Sequence, residues 1–360
     1  MRILAVAERF VPAPGGSEIS LHAVLKGLHV AGHVVAIHTS AAPPGAPSAA
    51  AMPRPADPWL ERIPVPRFDA DGFRDVLARF RPDRVLTQMD WAHLAGPVAV
   101  EAGVPVCFFS CVGDVCGALD GIVFNSAWCE RSLAGYGFLA GKGRYVLHPP
   151  IERGAVVAAE RRPTEVVMVN PIRAKGGELF ARLAASLPDI PFLAVTGWYD
   201  PAEDGIDLAL PNVTLLPNQS DMRPVYARAR ILMAPSLFPE AFGRVAREGV
   251  LNGLPVVAST RGGLPEATLG AAIHLDPEDE PAWREMLRRL WDSPKAANDL
   301  AERARVAARR YREADEMAAF VAFVEGLKRQ GAYPDLEQPF HNLEWLSSRR
   351  AGGGMPGDKA

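Results

Sequence analysis

Short apolar segments alternate along the chain with longer stretches whose apolar residues recur at helical spacing. In the first half the pattern predicts strands at residues 3–7, 34–38, 84–87, 104–109, 122–125 and 145–147. Helical periodicity covers residues 17–30, 71–80, 92–102 and 127–136 between them. Alternation of this kind is typical of an α/β domain with a doubly wound parallel sheet covered by helices.

The same alternation restarts after a region rich in proline, charge and alanine at residues 148–163. Strands are predicted at 165–170, 192–196, 213–216, 231–234, 256–259 and 272–275. Helices are predicted at 177–186, 222–229, 243–252 and 281–291, with two more between 294 and 330. We therefore predict one Rossmann-like domain at 1–155 and a second at 156–330, with ligands bound in a cleft that both sheets face.

Three stretches fall outside this regular pattern. Residues 331–346 are predicted to be a C-terminal extension that packs back on the N-terminal domain, and residues 347–360 a disordered tail with nothing to bury. Proline density at 41–58 predicts a surface loop, which is either a disordered insertion or a lid over an acceptor.

Composition narrows the functional classes. The formal charge of −3, with both signs interleaved, argues against nucleic acid or a charged membrane as partner and favours a small or neutral acceptor. The apolar run at the N-terminus is too short for a signal peptide or a transmembrane segment, so a cytoplasmic location is expected. The spacing of the four cysteines fits neither a zinc knuckle nor a disulfide framework.

The most informative stretch for chemistry is PSLFPEAFGRVAREGVLNGLPVVASTRGGLPEA, residues 235–267. Glu240 precedes a predicted helix whose first turn contains Phe242 and Gly243, where free N–H groups can face an anion or a sugar hydroxyl. Glu248 follows eight residues later, which is close to two helical turns and predicts the same helix face. Each glutamate taken singly also fits a charge at a helix N-terminus or on a solvated face.

This stretch resembles the EX7E signature of glycosyltransferase family 4. The resemblance implies a GT-B fold, a retaining reaction, Glu240 against the donor sugar and Glu248 on the ribose. It also implies that the glycine-rich segment 262–266 borders the donor pocket.

A second motif, VVMVNPIRAKGGELF at 166–180, combines a strand, a loop with Arg173 and Lys175, and a helix that begins near Gly176 and Gly177. A guanidinium and an ammonium beside a helix N-terminus can neutralise a diphosphate leaving group without a metal ion. By the same resemblance Arg173 and Lys175 are the diphosphate-binding pair, whereas an ordinary solvated loop is the alternative.

On the N-terminal side, Gly15 and Gly16 lie between the first strand and a helix. Such a loop is either a simple turn or a place where the backbone approaches the donor phosphate and the acceptor. Family members often carry a histidine where this chain has Cys111 by pattern. Asp90, His93 and Asp114 are the remaining polar candidates near strand ends, and each of them also fits a structural or capping role.

Together with this resemblance, the residues imply a metal-independent retaining glycosyltransferase that takes a nucleoside diphosphate sugar and requires no cofactor. A nucleotide-sugar epimerase of the same fold is one alternative, and a non-catalytic protein that binds nucleotide sugars is another. The sequence names neither base, sugar nor acceptor.

Overall fold

The computed structural model describes residues 1–7, 10, 15–39, 57–63, 69–88, 91–110, 118–134, 139–197, 199–330 and 333. The chain divides into two compact units. The first comprises Met1–Pro12, Val24–Leu147 and Met317–Ala360, and the second comprises Ala13–Ala23 and His148–Glu316. Most of the predicted surface loop at 41–58, and all of the predicted extension and tail except Tyr333, lie outside the described residues.

Seven strands form a parallel sheet in the first unit: β1 (Arg2–Ala7), β2 (Val34–Thr39), β3 (Leu60–Ile63), β4 (Arg84–Gln88), β5 (Val106–Ser110), β6 (Gly121–Phe124) and β7 (Gly143–Val146). Their order across the sheet is β3-β2-β1-β4-β5-β6-β7, and each neighbouring pair is parallel. The helices of this part of the chain are α1 (Gly16–Val30), α2 (Ala70–Phe80), α3 (Trp91–Glu101) and α4 (Ala127–Leu133). All predicted strands of the first half are present.

The sequence pattern missed β3, which is the edge strand of this sheet. Its first and last residues, Leu60 and Ile63, are buried, whereas Glu61 and Arg62 between them are exposed. Charged residues are common on edge strands because they discourage pairing with another chain. Four residues with two adjacent charges carry no strand periodicity, so only the sheet itself shows the role of this segment.

The second unit contains a six-stranded parallel sheet with the strand order β10-β9-β8-β11-β12-β13. Its strands are β8 (Glu165–Val169), β9 (Phe192–Val195), β10 (Val213–Leu216), β11 (Ala229–Ala234), β12 (Val256–Ser259) and β13 (Ile273–Leu275). The remaining helices are α5 (Arg153–Val156), α6 (Gly177–Ser186), α7 (Arg223–Arg228), α8 (Arg244–Leu251), α9 (Leu264–Ala267), α10 (Glu280–Asp292), α11 (Pro294–Arg310) and α12 (Glu313–Gly326).

Both faces of this sheet are covered, because alternate residues of each buried strand point to opposite sides. Val166 packs on one face with Phe180 of α6 and Trp283 of α10. Val167 packs on the other with Tyr226 of α7 and the helix α8. Two doubly wound parallel sheets are thus present, as the hydrophobic pattern predicted. Among the described residues, no helix combines the length and apolar character that a membrane crossing requires.

Candidate functional site

Backbone hydrogen bonds join two loops of the second unit, the loop after β8 and the loop after β11. After β8 the chain makes a 3₁₀ turn over Arg173–Lys175, and α6 begins at Gly177 as predicted. The carbonyl of Ala174 accepts hydrogen bonds from the N–H groups of Leu237 and Phe238, at 3.1 and 3.0 Å, in the loop after β11. Gly176 has φ +85°, and a Cβ there would lie 2.2 Å from the carbonyl oxygen of Pro235. Only glycine permits this close approach of the two loops.

This locking brings Lys175 and Glu240 together. Lys175 Nζ lies 2.5 Å from Glu240 Oε1, and Ser236 donates to the same oxygen from 2.8 Å. Both side chains of the ion pair are mostly buried, at 15 and 17% exposure, so solvent screens the pair less than it screens a surface salt bridge. The structure therefore joins one residue from each of two predicted motifs. Ser236 was not predicted, since a serine in a loop carries no signal of its own.

A third loop, after β12, fixes the backbone of Glu240. Gly263 N–H donates to the Glu240 carbonyl at 2.7 Å. Gly262 has φ +64°, and a Cβ on it would come within 2.2 Å of that carbonyl oxygen and 2.4 Å of the Glu240 nitrogen. The glycine-rich segment thus sets the position of Glu240 by direct contact.

Arg173 belongs to a different set of contacts. Its backbone N–H donates to Asp204 Oδ2 and its Nη2 to the Asp204 carbonyl, both at 2.7 Å. Its Nε lies 2.9 Å from Glu178 Oε1 in the first turn of α6. Tyr199 also donates to Asp204, at 2.9 Å. Arg173 therefore anchors the turn to the segment after β9, while its side chain keeps about a third of its surface exposed.

The start of α8 differs from the prediction. The helix begins at Arg244, and Gly243 is the N-cap with φ +99°. Phe242 consequently lies in the preceding loop and not in the first turn, where it was placed from the sequence. A Cβ at Gly243 would lie 2.5 Å from Leu264 Cδ2, so the left-handed cap is held by packing against α9. Because Glu240 lies outside the helix, the expectation that it shares a helix face with Glu248 is wrong.

Glu248 is buried and hydrogen-bonded through both oxygens. Tyr226 donates its hydroxyl to Oε2 at 2.6 Å, and Arg244 Nε lies 2.7 Å from Oε1. Burial, followed by the charge of Glu248, raises the pKa of Tyr226 well above its usual value, which keeps that phenol a donor. Neither partner was predicted, although Arg244 is one turn from Glu248 on the same helix.

A cluster of charged and aromatic side chains surrounds His148. Its Nε2 lies 2.7 Å from Glu266 Oε1 and its Nδ1 lies 3.1 Å from Glu316 Oε1. Its ring stacks on Phe242 with centroids 5.4 Å apart, and the buried guanidinium of Arg247 lies over the same phenyl ring. Burial disfavours the charged imidazole, but the hydrogen bonds with both carboxylates outweigh it and raise the pKa of His148 to about 9.

The acceptor-side candidates are less well defined. Gly16 is the first residue of α1, preceded by Gly15, and an added Cβ on Gly16 would lie 3.8 Å from Arg244 Cδ. His93 is exposed near the start of α3. Asp90, Cys111 and Asp114 lie outside the described residues. In the part of the chain that the structure describes, no group of three or more His, Cys, Asp or Glu side chains is arranged to hold a metal ion.

Residues 166–293 match the family model described as "Glycosyl transferases group 1". The chain is 36% identical over 150 residues to a D-inositol 3-phosphate glycosyltransferase of Mycobacterium sp. (strain KMS), an alignment covering 34% of this chain and 33% of that protein. A second such relative, from Mycolicibacterium smegmatis, is 31% identical over 186 residues, covering 42% of this chain and 41% of its own. The chain thus spans a third to two fifths of the length of these relatives.

Solved structures resemble the chain over most of its length. Sucrose-phosphate synthase from Thermosynechococcus elongatus superposes with a TM-score of 0.74 at 18% identity, covering 89% of this chain and 97% of that structure. Anabaena HepE, solved in complex with UDP and glucose, gives 0.70 at 15% identity, with coverage of 91 and 100%. Such low identities establish the fold. Residues 166–293 are thus similar to the glycosyl transferases group 1 family, and the chain has the GT-B fold.

Proposed function

We propose that this protein is a retaining glycosyltransferase that moves a sugar from a nucleoside diphosphate donor to an acceptor hydroxyl without a metal ion. The observation that carries the proposal is the contact between Lys175 and Glu240, 2.5 Å apart inside the segment that matches the glycosyltransferase family. Three loops at the carboxyl ends of β8, β11 and β12 build this contact. Ligands of parallel α/β sheets bind at that end of the strands.

The first chemical requirement is neutralisation of the leaving group. When the bond between the anomeric carbon and the phosphate oxygen breaks, negative charge builds on the diphosphate. In this proposal Lys175 and Arg173 supply the positive charge, and both lie in the turn that leads into the N-terminus of α6. Lys175 is an ammonium with three N–H donors, which is the chemistry that a phosphate oxygen binds.

The second requirement is proton transfer from the acceptor. In the proposed reaction the acceptor oxygen bonds to the anomeric carbon on the face that the phosphate leaves. The departing phosphate oxygen takes the acceptor proton, and nucleoside diphosphate is released. Glu240 lies against the donor sugar in this scheme, held by Gly263 through its backbone and by Lys175 through its carboxylate. The acceptor then needs no separate basic side chain.

Glu248 is proposed to bind the ribose. It is buried, and its charge is stabilised by Tyr226 and Arg244. A carboxylate has about four lone-pair sites, so two existing hydrogen bonds leave room for a hydroxyl group. The contact is the same in the ground and transition states, which makes it a contribution to donor binding.

The similar proteins suggest substrate classes. The curated relatives act as D-inositol 3-phosphate glycosyltransferases, and HepE was solved with UDP and glucose. From these names we propose a nucleoside diphosphate sugar as the donor and a small hydroxyl compound as the acceptor. The cytoplasmic location expected from the sequence is part of the same proposal.

A panel of nucleoside diphosphate sugars, screened by thermal shift, tests donor binding, because a ligand that binds only the folded state raises Tm. The donor that binds is then incubated with and without candidate acceptors. We expect release of nucleoside diphosphate that depends on an acceptor, and a fresh product whose NMR spectrum shows the anomeric configuration of the donor. Rapid release without acceptor, together with an altered sugar, would support an epimerase instead. Binding without any turnover would support a non-catalytic protein.

A further inference from the structure

Arg244 lies beside Glu248, and the proposed function gives it no role beyond stabilising the charge of that carboxylate. Its Nε lies 2.7 Å from Glu248 Oε1, and its Nη1 donates to the Pro150 carbonyl at 3.0 Å and to Ser20 Oγ at 3.4 Å. Its side chain is 15% exposed. Within the described residues Nη2 has no hydrogen-bond partner. Three hydrogen bonds through Nε and Nη1 thus hold the guanidinium, and the N–H groups of Nη2 point to none of the described residues.

The hydrogen-bonding chemistry of Glu248 and Arg244 indicates which ligand groups the pair can bind. A carboxylate only accepts hydrogen bonds and a guanidinium only donates them, whereas a hydroxyl group does both. Glu248 and Arg244 therefore match the two neighbouring hydroxyl groups of a ribose. One hydroxyl donates to Glu248, and the oxygen of the other accepts from Arg244. Glu248 is only 7% exposed and its Oε1 lies 2.7 Å from Arg244 Nε, so a hydroxyl bound at that carboxylate lies close to the guanidinium.

We infer that Arg244 is a specificity-determining residue that binds the ribose of the donor together with Glu248, through its Nη2. The inference rests on the proposed function, because it takes Glu248 as the ribose contact. A deoxyribose leaves one member of the pair without its partner. A buried polar group that loses its partner costs more than a lost apolar contact, so the pair discriminates against the deoxy sugar.

Calorimetry with UDP, ADP and GDP tests the inference, followed by the 2′-deoxy and 3′-deoxy forms of whichever nucleotide binds most tightly. We expect the wild-type protein to prefer the ribose form over at least one deoxy form by about tenfold or more, the range for a hydrogen bond to a charged group. Arg244→Met should reduce that preference several-fold. An unchanged preference would overturn the inference. Tighter binding of the ribose form by Arg244→Met would also overturn it, since Arg244 would then obstruct Glu248.

A second comparison separates direct contact from positioning of Glu248. In the Glu248→Gln background, Arg244→Met should weaken binding of the ribose nucleotide further, by about fivefold or more, if Nη2 contacts the ribose itself. If Arg244 acts only by orienting the Glu248 carboxylate, the second substitution adds no loss, and the inference is wrong.

Arg284→Met is the matched control, because Arg284 pairs with Glu280 on α10, also four residues apart, away from the site. It should leave the ribose preference unchanged.

If Arg244→Met does not fold, Arg244→Gln serves instead, because it keeps a donor toward Glu248 but removes Nη2. The ratio of ribose to deoxyribose nucleotide affinity is then measured in that variant. Failure of the wild-type protein to bind any of the three nucleotides, or normal binding by Glu248→Gln, would overturn the proposed function and the inference together. Weakened binding by Glu248→Gln with an unaltered ratio in both Arg244 variants would overturn the inference only.

Discussion

Nε2 of His148 lies 2.7 Å from Oε1 of Glu266, and the opposite nitrogen of the same ring lies 3.1 Å from Oε1 of Glu316. Each ring nitrogen faces a carboxylate, which only accepts hydrogen bonds when ionised. Both nitrogens must therefore carry hydrogen, and the ring is an imidazolium. Its pKa of about 9, against 6.5 for an ordinary histidine, agrees with this reading. The first and last residues of one stretch of the second unit, His148–Glu316, are thereby joined.

This bridge predicts how stability depends on pH. A histidine whose pKa rises on folding stabilises the folded state fully below its unfolded pKa, here 6.5, and loses that contribution as pH rises toward about 9. The shift corresponds to about 3 kcal/mol at most, as an order of magnitude. Urea unfolding of the wild type and His148→Phe, which keeps an aromatic ring against Phe242, should differ most at pH 6 and least at pH 9.5.

A difference that stays constant across this pH range would show that His148 contributes by packing and not by charge. His29→Phe is the matched control, because His29 is exposed and stacks on Trp59 with centroids 5.4 Å apart. That substitution makes the same chemical change at an exposed ring stack, and its unfolding curves are the baseline against which the His148 variant is compared.

The His148 cluster also shows where sequence reasoning ends. Every strand of the two sheets except the edge strand β3 could be predicted, because buried strands are continuous apolar runs. The loops that carry Lys175 and Glu240 could be located from the glycines and charges at strand ends. Glu266 and Glu316 lie 118 and 168 residues from His148 along the chain. Nothing local indicates that they meet.

The start of α8 shows a subtler limit. In the sequence, no local signal separates Phe242 and Gly243 from the helix that follows them. In the structure Gly243 has a positive φ and packs against Leu264, some twenty residues later, so closely that an added Cβ would lie 2.5 Å from Leu264 Cδ2. Tertiary packing therefore decides that Phe242 lies in the loop, and no periodicity within the helix reveals it.

Lys175→Met is predicted to lower kcat about 100-fold or more with a smaller effect on KM, because charge on the diphosphate builds in the transition state. The substitution also leaves Glu240 with Ser236 as its remaining side-chain donor among the described contacts. Steady-state kinetics with the donor found in the panel measures this. Arg182→Met is the control, since Arg182 lies exposed on α6 and pairs with Glu280 of α10. Equal turnover of both variants would remove Lys175 from the catalytic residues.

Gly262→Ala is predicted to destabilise the protein and to displace Glu240, because the new Cβ would lie 2.2 Å from the Glu240 carbonyl oxygen. Gly270→Ala is a matched control, since Gly270 has φ +69° but no atom within 4 Å of the added Cβ. The control should lose about 1 kcal/mol of unfolding free energy from backbone strain, and Gly262→Ala about 2 kcal/mol more. Urea unfolding compares the two. Equal losses would mean that the loop after β12 moves freely and does not fix Glu240.

Gly16→Val is predicted to fold normally and to lose sugar transfer. The nearest atom to an added Cβ is Arg244 Cδ at 3.8 Å, an ordinary contact distance, and Gly16 has no positive φ that would strain valine. The wild-type Tm should therefore be kept within a few degrees. If the backbone at Gly15 and Gly16 approaches the donor phosphate, the larger side chain obstructs the diphosphate, while a free nucleoside, which has none, still binds through Glu248. Calorimetry with nucleoside and with nucleoside diphosphate, beside a transfer assay, measures the separation. Normal transfer by Gly16→Val would show that this loop is only a turn that leads into α1.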